Sequence, residues 1–109
     1  MEIIKKGEIE ITIRDLSDAR EMSLNSLPDI AGVYFLFNDN ILIYIGQTKN
    51  LKQRIITHHY ARQRNNNIKQ FNKIFFLESE NKEERTNLEL FNSRKYLNDI
   101  RYHSLIFEF

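Results

Sequence analysis

Four side chains with chemical capacity lie within residues 34–58 of the chain: Tyr34, Tyr44, Arg54 and His58. A guanidinium fork can bind two oxygens of a phosphate, and an imidazole can take up or release a proton near neutral pH. Each residue has an ordinary alternative, since strand tyrosines usually pack across strands and helical arginines are usually solvated. The combination, however, is not one that packing alone explains.

The residues around these side chains predict two strands and a helix. The apolar runs 33–37 (VYFLF) and 41–45 (ILIYI) flank the turn-forming residues 38–40 (NDN), a pattern typical of a β-hairpin. Gly46 ends the second strand, and Asn50 is well placed to cap the helix that follows. The two tyrosines therefore fall on neighbouring strands, whereas the arginine and the histidine share one helix face at positions i and i+4.

The charge of the chain is unevenly distributed although its net value is only +1. Residues 40–77 contain no Asp or Glu. Lysines and arginines are the only charged residues of this stretch besides histidine, which predicts a surface that faces a polyanion. The alternative is a solvated helical face that happens to be basic. The residues predicted to bind nucleic acid are Lys49, Lys52, Arg54, Arg62, Arg64 and Lys69.

The motifs of the hairpin and its helix resemble the GIY-YIG nuclease superfamily. The tripeptide GVY at 32–34 stands where the first motif lies, and YIG at 44–46 matches the second without change. The run QTKNLKQR at 47–54 is similar to the segment that leads to the catalytic arginine of the family. His58 matches the position where members carry His or Tyr. The resemblance extends over residues 27–96.

This resemblance implies hydrolysis of phosphodiester bonds by a one-metal mechanism, with Mg²⁺ or Mn²⁺ held by Glu89. Tyr34 is implied to activate the attacking water, as a general base or through hydrogen bonds, and Tyr44 to orient that water or a phosphate oxygen. Arg54 is implied to hold the scissile phosphate. His58 is implied to hydrogen-bond a tyrosine or to shuttle a proton. Without the resemblance, Glu89 would read as an ordinary surface glutamate of a helix.

The sequence also departs from the family pattern. Members often have a proline and then an asparagine after the metal-binding glutamate, with the asparagine at the position that is Arg101 here. No proline follows Glu89, and Asn98 is the candidate substitute for the family's terminal asparagine. Gln47 occupies a position where some members place a lysine. These departures bear on activity and leave the predicted fold unchanged.

The other elements follow from apolar periodicity and capping residues. Before the hairpin they are a half-buried strand over 7–14 near a sheet edge and a short helix over 15–22 capped by Asp15. After it come a central strand over 73–78 and a helix over 81–97 capped by Asn81 with Glu84. The apolar side of this last helix is predicted to consist of Leu88, Leu90, Phe91 and Leu97. The first helix is predicted to end at 59, followed by a mobile loop over 60–67, a helical turn near Ile68 and Phe71, and a last strand over 103–109.

Together these elements predict one α+β domain over 1–109, a small antiparallel β-sheet flanked by helices. Residues 1–30 are predicted as an N-terminal strand and helix extension, 31–98 as the motif-bearing core, and 99–109 as a C-terminal strand or tail. The absence of cysteine excludes disulfides and thiolate metal sites, and three histidines make a zinc site improbable. Neither a signal peptide nor a membrane-spanning run is present, so the cytoplasm is the default location.

The leading functional prediction is a metal-dependent endonuclease that acts on DNA, with RNA left open as an alternative substrate. The alternative is a non-catalytic nucleic-acid-binding module of the same fold, and a protein-interaction domain is a third class. The presence of both tyrosines, Arg54, His58 and Glu89 favours the enzyme. No helix-turn-helix or zinc finger is recognisable, so the choice of target is assigned to this domain, to a homodimer or to a separate targeting partner.

Overall fold

A computed structural model describes residues 2–6, 9–64 and 70–97, with side chains at 13–58 and 70–97. The secondary structure of this part consists, in chain order, of β1 (Glu2–Lys6), β2 (Ile9–Ile13), a 3-10 turn (Leu16–Asp18), β3 (Arg20–Met22), β4 (Gly32–Asn38), β5 (Ile41–Thr48), α1 (Leu51–Arg64), β6 (Lys73–Glu78) and α2 (Lys82–Tyr96). No helix in these ranges is long and apolar enough to cross a membrane.

The sheet that carries the motifs has four antiparallel strands in the order β3-β6-β4-β5. The predicted hairpin is confirmed, and its turn is tighter than the sequence suggested because Asn38 still belongs to β4. Asp39 takes a left-handed conformation with a φ of 55°, which short polar side chains tolerate better than most. Asn72 stabilises this turn, since its side chain accepts a bond from the Asp39 N–H and donates one to the Asp39 carboxylate.

Alternation along β4 divides the core between the two faces of the sheet. Val33 and Phe35 face α2, where they pack in one cluster with Leu88 and Leu97. The residues that alternate with them, Tyr34 and Leu36, face α1 and belong to the cluster that contains Leu51 and Ile55. The arrangement is a helix on each face of a central sheet, which confirms the predicted α+β class. It also places Tyr34 on the side of the sheet that α1 covers.

The two helices begin as predicted but differ in other details. The side-chain oxygens of Asn50 and Asn81 accept the N–H groups of Gln53 and Glu84, so both predicted caps are confirmed. The predicted end of α1 at residue 59 is wrong, because the helix continues to Arg64 and takes up the first part of the predicted loop. No helix-breaking residue occurs before that point. Leu90 is 46% exposed and does not belong to the apolar side of α2.

The N-terminal predictions are only partly correct. β2 forms a separate two-stranded antiparallel sheet with β1, so its predicted place near an edge of the main sheet is wrong. The predicted helix over 15–22 is also wrong, because after one 3-10 turn the chain extends into β3 and pairs with β6. The pairing of β3 with β6 satisfies backbone N–H and C=O groups along one edge of β6, which would have no strand partner there if residues 20–22 were helical.

Other predicted segments cannot be compared with the structure in full. The predicted helical turn near Ile68 and Phe71 is wrong at Phe71, which is not helical. Ile68, the last strand over 103–109 and the end of the predicted loop lie outside the described residues.

Asp15 connects the N-terminal segment to α2 through an ion pair with Lys95. Hydrogen bonds from Lys95 and Ser17 lower the pKa of Asp15 from 3.8 to about 2. A depressed pKa contributes stability that is present above the unfolded pKa and is lost as pH falls toward the folded value. We therefore expect Asp15→Asn, which keeps a capping side chain, to lower the denaturation midpoint slightly at pH 7 and to differ less from wild type as pH falls from about 4 to about 2.

Denaturant titrations across this pH range test the expectation, with Asp29→Asn as the control at an exposed carboxylate. A difference between Asp15→Asn and wild type that stays constant down to pH 2 would contradict it.

Candidate active site

The hydroxyl of Tyr34 is held inside the protein by His58. The Tyr34 Oη atom lies 2.8 Å from His58 Nε2, and the two residues are 1% and 5% exposed. Tyr44, on the adjacent strand, stacks on Tyr34 with ring centroids 5.8 Å apart and lies 5.2 Å from the His58 ring. The three rings therefore form one cluster between the β4–β5 hairpin and α1.

Both motif glycines are required by close approaches, Gly46 within this cluster and Gly32 against the neighbouring strand β6. A Cβ atom at Gly46 would lie 2.5 Å from the Tyr34 hydroxyl oxygen and 2.7 Å from the Tyr44 ring. At Gly32, a Cβ atom would lie 2.1 Å from the carbonyl oxygen of Leu77. Any larger residue at position 46 would displace both tyrosines, because the Tyr34 side chain crosses β5 directly over this glycine.

Burial raises the pKa of Tyr34 far above its ordinary range, and the neighbouring Tyr44 raises it further. Burial also raises the pKa of Tyr44, but a hydrogen bond with Tyr34 partly offsets the shift. The positive charge of Arg54 lowers the pKa of both phenols, while the negative charge of Glu89 raises it. Both phenols are therefore neutral at physiological pH, and Tyr44 is the less buried of the two.

Arg54 and Glu89 approach the tyrosines from different helices. Arg54 lies one turn before His58 on α1, and its side chain is exposed. Glu89 is supplied by α2, which packs on the opposite face of the sheet and reaches the site along β5, where the Gln47 backbone hydrogen-bonds its carboxylate. The charges of Arg54 and Glu89 thus both act on the phenols of Tyr34 and Tyr44, and both of these rings lie beside His58, although Glu89 is distant in sequence.

The carboxylate of Glu89 suits a divalent cation. Burial raises its pKa, and the hydrogen bond from Gln47 opposes that shift only in part. A nearby cation would favour the ionised form, and hard divalent ions prefer carboxylate and hydroxyl oxygens of the kind present here. Within the described ranges, no three His, Cys, Asp or Glu side chains cluster in a way that could hold a metal. The residues therefore fit an ion that keeps most of its coordination for water and substrate.

A groove of about 530 Å³ lies beside these residues, between the first turns of α1 and α2. Two of the predicted nucleic-acid-binding residues, Lys49 and Arg54, line it, whereas Lys52 is exposed on α1 outside the lining. The side chains of Arg62, Arg64 and Lys69, and the whole of Asn98, fall outside the described residues. Those assignments stay predictions.

The groove is also lined by Lys82 and Arg85, which the sequence analysis did not select. Both lie on α2, beyond the acid-free block that directed attention to residues 40–77. One signal was available, because Arg85 precedes Glu89 by four residues and therefore shares its helix face.

Comparison with known proteins agrees with this fold. The GIY-YIG catalytic domain family matches residues 30–102. The fold is similar to the GIY-YIG N-terminal endonuclease domain of UvrC from Thermotoga maritima bound to its catalytic divalent cation, magnesium, with a TM-score of 0.54 and 24% identity over 68% of this chain and 85% of that one. Two point mutants of that domain, also bound to the cation, give a TM-score of 0.55 at 24% identity over 68% of this chain and 84% of theirs. No curated protein matches the sequence.

Proposed function

This chain belongs to the GIY-YIG family, and from that membership and its site we propose that it is a metal-dependent endonuclease that hydrolyses phosphodiester bonds in DNA. The observation that carries the proposal is the convergence of two stacked tyrosines, Arg54 and Glu89 at β5. A packing role alone would not require an exposed arginine and a half-buried carboxylate beside two desolvated phenols.

Hydrolysis requires a water molecule to lose a proton as its oxygen bonds to phosphorus, while the bond from phosphorus to the leaving oxygen breaks and that oxygen gains a proton. Arg54 is placed to bind two oxygens of the scissile phosphate and to stabilise the charge that develops on them. A divalent cation held by Glu89 would supply further charge neutralisation at the phosphate and at the leaving oxygen.

The two tyrosines take different roles in this proposal. Because burial keeps Tyr34 protonated and His58 fixes its hydroxyl, Tyr34 acts through hydrogen bonds that orient the water, rather than as a base. Tyr44 is also neutral at rest, because burial raises its pKa, but it is the less buried phenol. It can accept the proton of the attacking water only after releasing its own to solvent, and the positive charges of Arg54 and of a bound cation would favour that release.

Incubation with supercoiled, branched and single-stranded DNA, with and without Mg²⁺ or Mn²⁺, tests the proposal. We expect cleavage of at least one DNA form that requires the cation and stops in excess EDTA. Binding should weaken steeply as salt rises, because counterions are released from the phosphates that the basic surface contacts. Binding to DNA without cleavage under any of these conditions would instead support the non-catalytic module, and cleavage undiminished in EDTA would contradict the metal-dependent mechanism.

A further inference from the structure

Arg85 is a buried cation without a counter-ion among the described residues. It is 4% exposed, and no carboxylate of the described chain forms an ion pair with it. Its Nη1 atom donates to the carbonyl oxygens of Ser79 and Glu80 at 3.2 and 2.9 Å, while its buried Nε atom has no partner among the described residues. Burying a charge with incomplete pairing is unfavourable unless something else compensates for it.

The side chains that line the groove beside Arg85 include other cations and no acid. Arg85 lines the groove together with Lys49, Arg54 and Lys82, and the remaining lining side chains are neutral and polar. The first turns of α1 and α2 both border the groove, and the N-terminal end of a helix carries partial positive charge. A groove with this lining would repel cations and attract an anion.

The position of Arg54 connects the groove to the tyrosine site. Its charge acts on the phenols of Tyr34 and Tyr44, and its side chain also lines the groove. An anion in the groove would therefore lie beside the phosphate that Arg54 binds. Along a nucleic-acid strand, the group found in that position is the neighbouring phosphate.

We propose that the groove binds a second backbone phosphate of the same DNA strand, adjacent to the scissile phosphate, with Arg85 and Lys82 as its cationic partners. The proposal rests on the proposed function, since it assumes that DNA is the substrate. Arg85 is then a positioning residue, because the phosphate it holds sets the register of the strand that is cleaved. Lys82 is exposed and adds charge at the rim of the groove.

Equilibrium binding in EDTA tests this assignment without reference to cleavage. The probe is a fluorescein-labelled DNA duplex, and the variants are Lys82→Ala, Arg85→Gln and Arg85→Lys. Arg94→Ala is the matched control, because Arg94 is an exposed cation of the same helix that borders a different groove. We expect Lys82→Ala and Arg85→Gln each to weaken binding several-fold and to reduce the salt slope by about one, with Arg85→Lys retaining most of the slope and Arg94→Ala altering neither quantity.

Neutral methylphosphonate groups placed singly on either side of the cleavage position identify the phosphate concerned. In wild type, one such group should weaken binding several-fold, and this penalty should be smaller in Lys82→Ala, because that variant has already lost one of the two cationic contacts to the same phosphate. Thermal unfolding identifies any loss of fold in the Arg85 variants. Because Lys82 is exposed, Lys82→Ala should keep the fold and tests the site without relying on the Arg85 variants.

Two outcomes separate this inference from the proposed function. If wild type binds and cuts DNA while Lys82→Ala binds like Arg94→Ala and keeps the full methylphosphonate penalty, the second phosphate site is wrong and the nuclease stands. If wild type neither binds nor cuts any DNA, both proposals are overturned.

Discussion

Replacing Arg54 by alanine is expected to lower the single-turnover rate of DNA cleavage by about 10²–10³. The guanidinium matters most when charge develops on the scissile phosphate, so the loss appears in the transition state more than in binding. DNA affinity should fall only about as much as for any single phosphate contact. Because the Arg54 side chain is exposed, the substitution should leave the fold intact.

Arg54→Lys should recover little of the rate, since an ammonium keeps the charge but cannot bridge two phosphate oxygens. Lys52→Ala is the matched control, as Lys52 is an exposed cation on the same helix that does not line the groove. Single-turnover cleavage and equilibrium binding are measured for each variant, together with Arg62→Ala. The nuclease assignment would be abandoned if Arg54→Ala cut as fast as wild type, or if wild type cut nothing while all these cations affected affinity alike.

Glu89→Gln is expected to reduce metal-dependent cleavage by a similar factor of about 10²–10³ while preserving most DNA binding. The amide has nearly the same shape as the carboxylate but offers a divalent cation no charge. Cleavage is measured over a range of Mg²⁺ and Mn²⁺ concentrations. Undiminished activity in this variant would show that Glu89 does not hold the ion.

The same substitution should stabilise the metal-free protein at neutral pH. Burial raises the pKa of Glu89, and a raised pKa means that stability present at low pH is lost as pH rises and the buried group ionises. Because glutamine does not ionise, the variant keeps this stability as pH rises. Conversely, Mg²⁺ or Mn²⁺ should raise the melting temperature of wild type but not of Glu89→Gln, because only a folded state that binds the ion is stabilised by it. Equal metal responses in both proteins would contradict this role of Glu89.

The sequence predicted best where local signals and tertiary structure agree. The β4–β5 hairpin, β6 and both helix starts follow from apolar spacing, turn residues and asparagine caps that act within a few residues. The N-terminal segment was mispredicted because the apolar and polar residues of 15–22 fit a helix, whereas the open edge of β6 selects a strand there. That choice depends on a partner more than fifty positions away, as the pairing of Arg20 with Phe76 illustrates.

The candidate site likewise contains residues that the sequence identifies and contacts that only the folded structure shows. Four of its residues, between Tyr34 and His58, could be selected from their types and spacing, and Glu89 from the family resemblance. The bond between Tyr34 and His58, and the burial that keeps the phenol neutral, can be seen only in the folded structure. Arg85 was missed for a similar reason, since its incomplete pairing is visible only after folding.

The separation of Glu89 from the other site residues has a consequence during protein synthesis. The hairpin and α1 leave the ribosome before α2, so an unfinished chain can present the tyrosines and Arg54 but not the carboxylate. Even a finished chain completes the site only when α2 packs against the sheet through Leu88 and Leu97. Under the proposed mechanism, the ability to cut DNA therefore arises at the end of folding, because a chain without α2 lacks the carboxylate that would hold the cation.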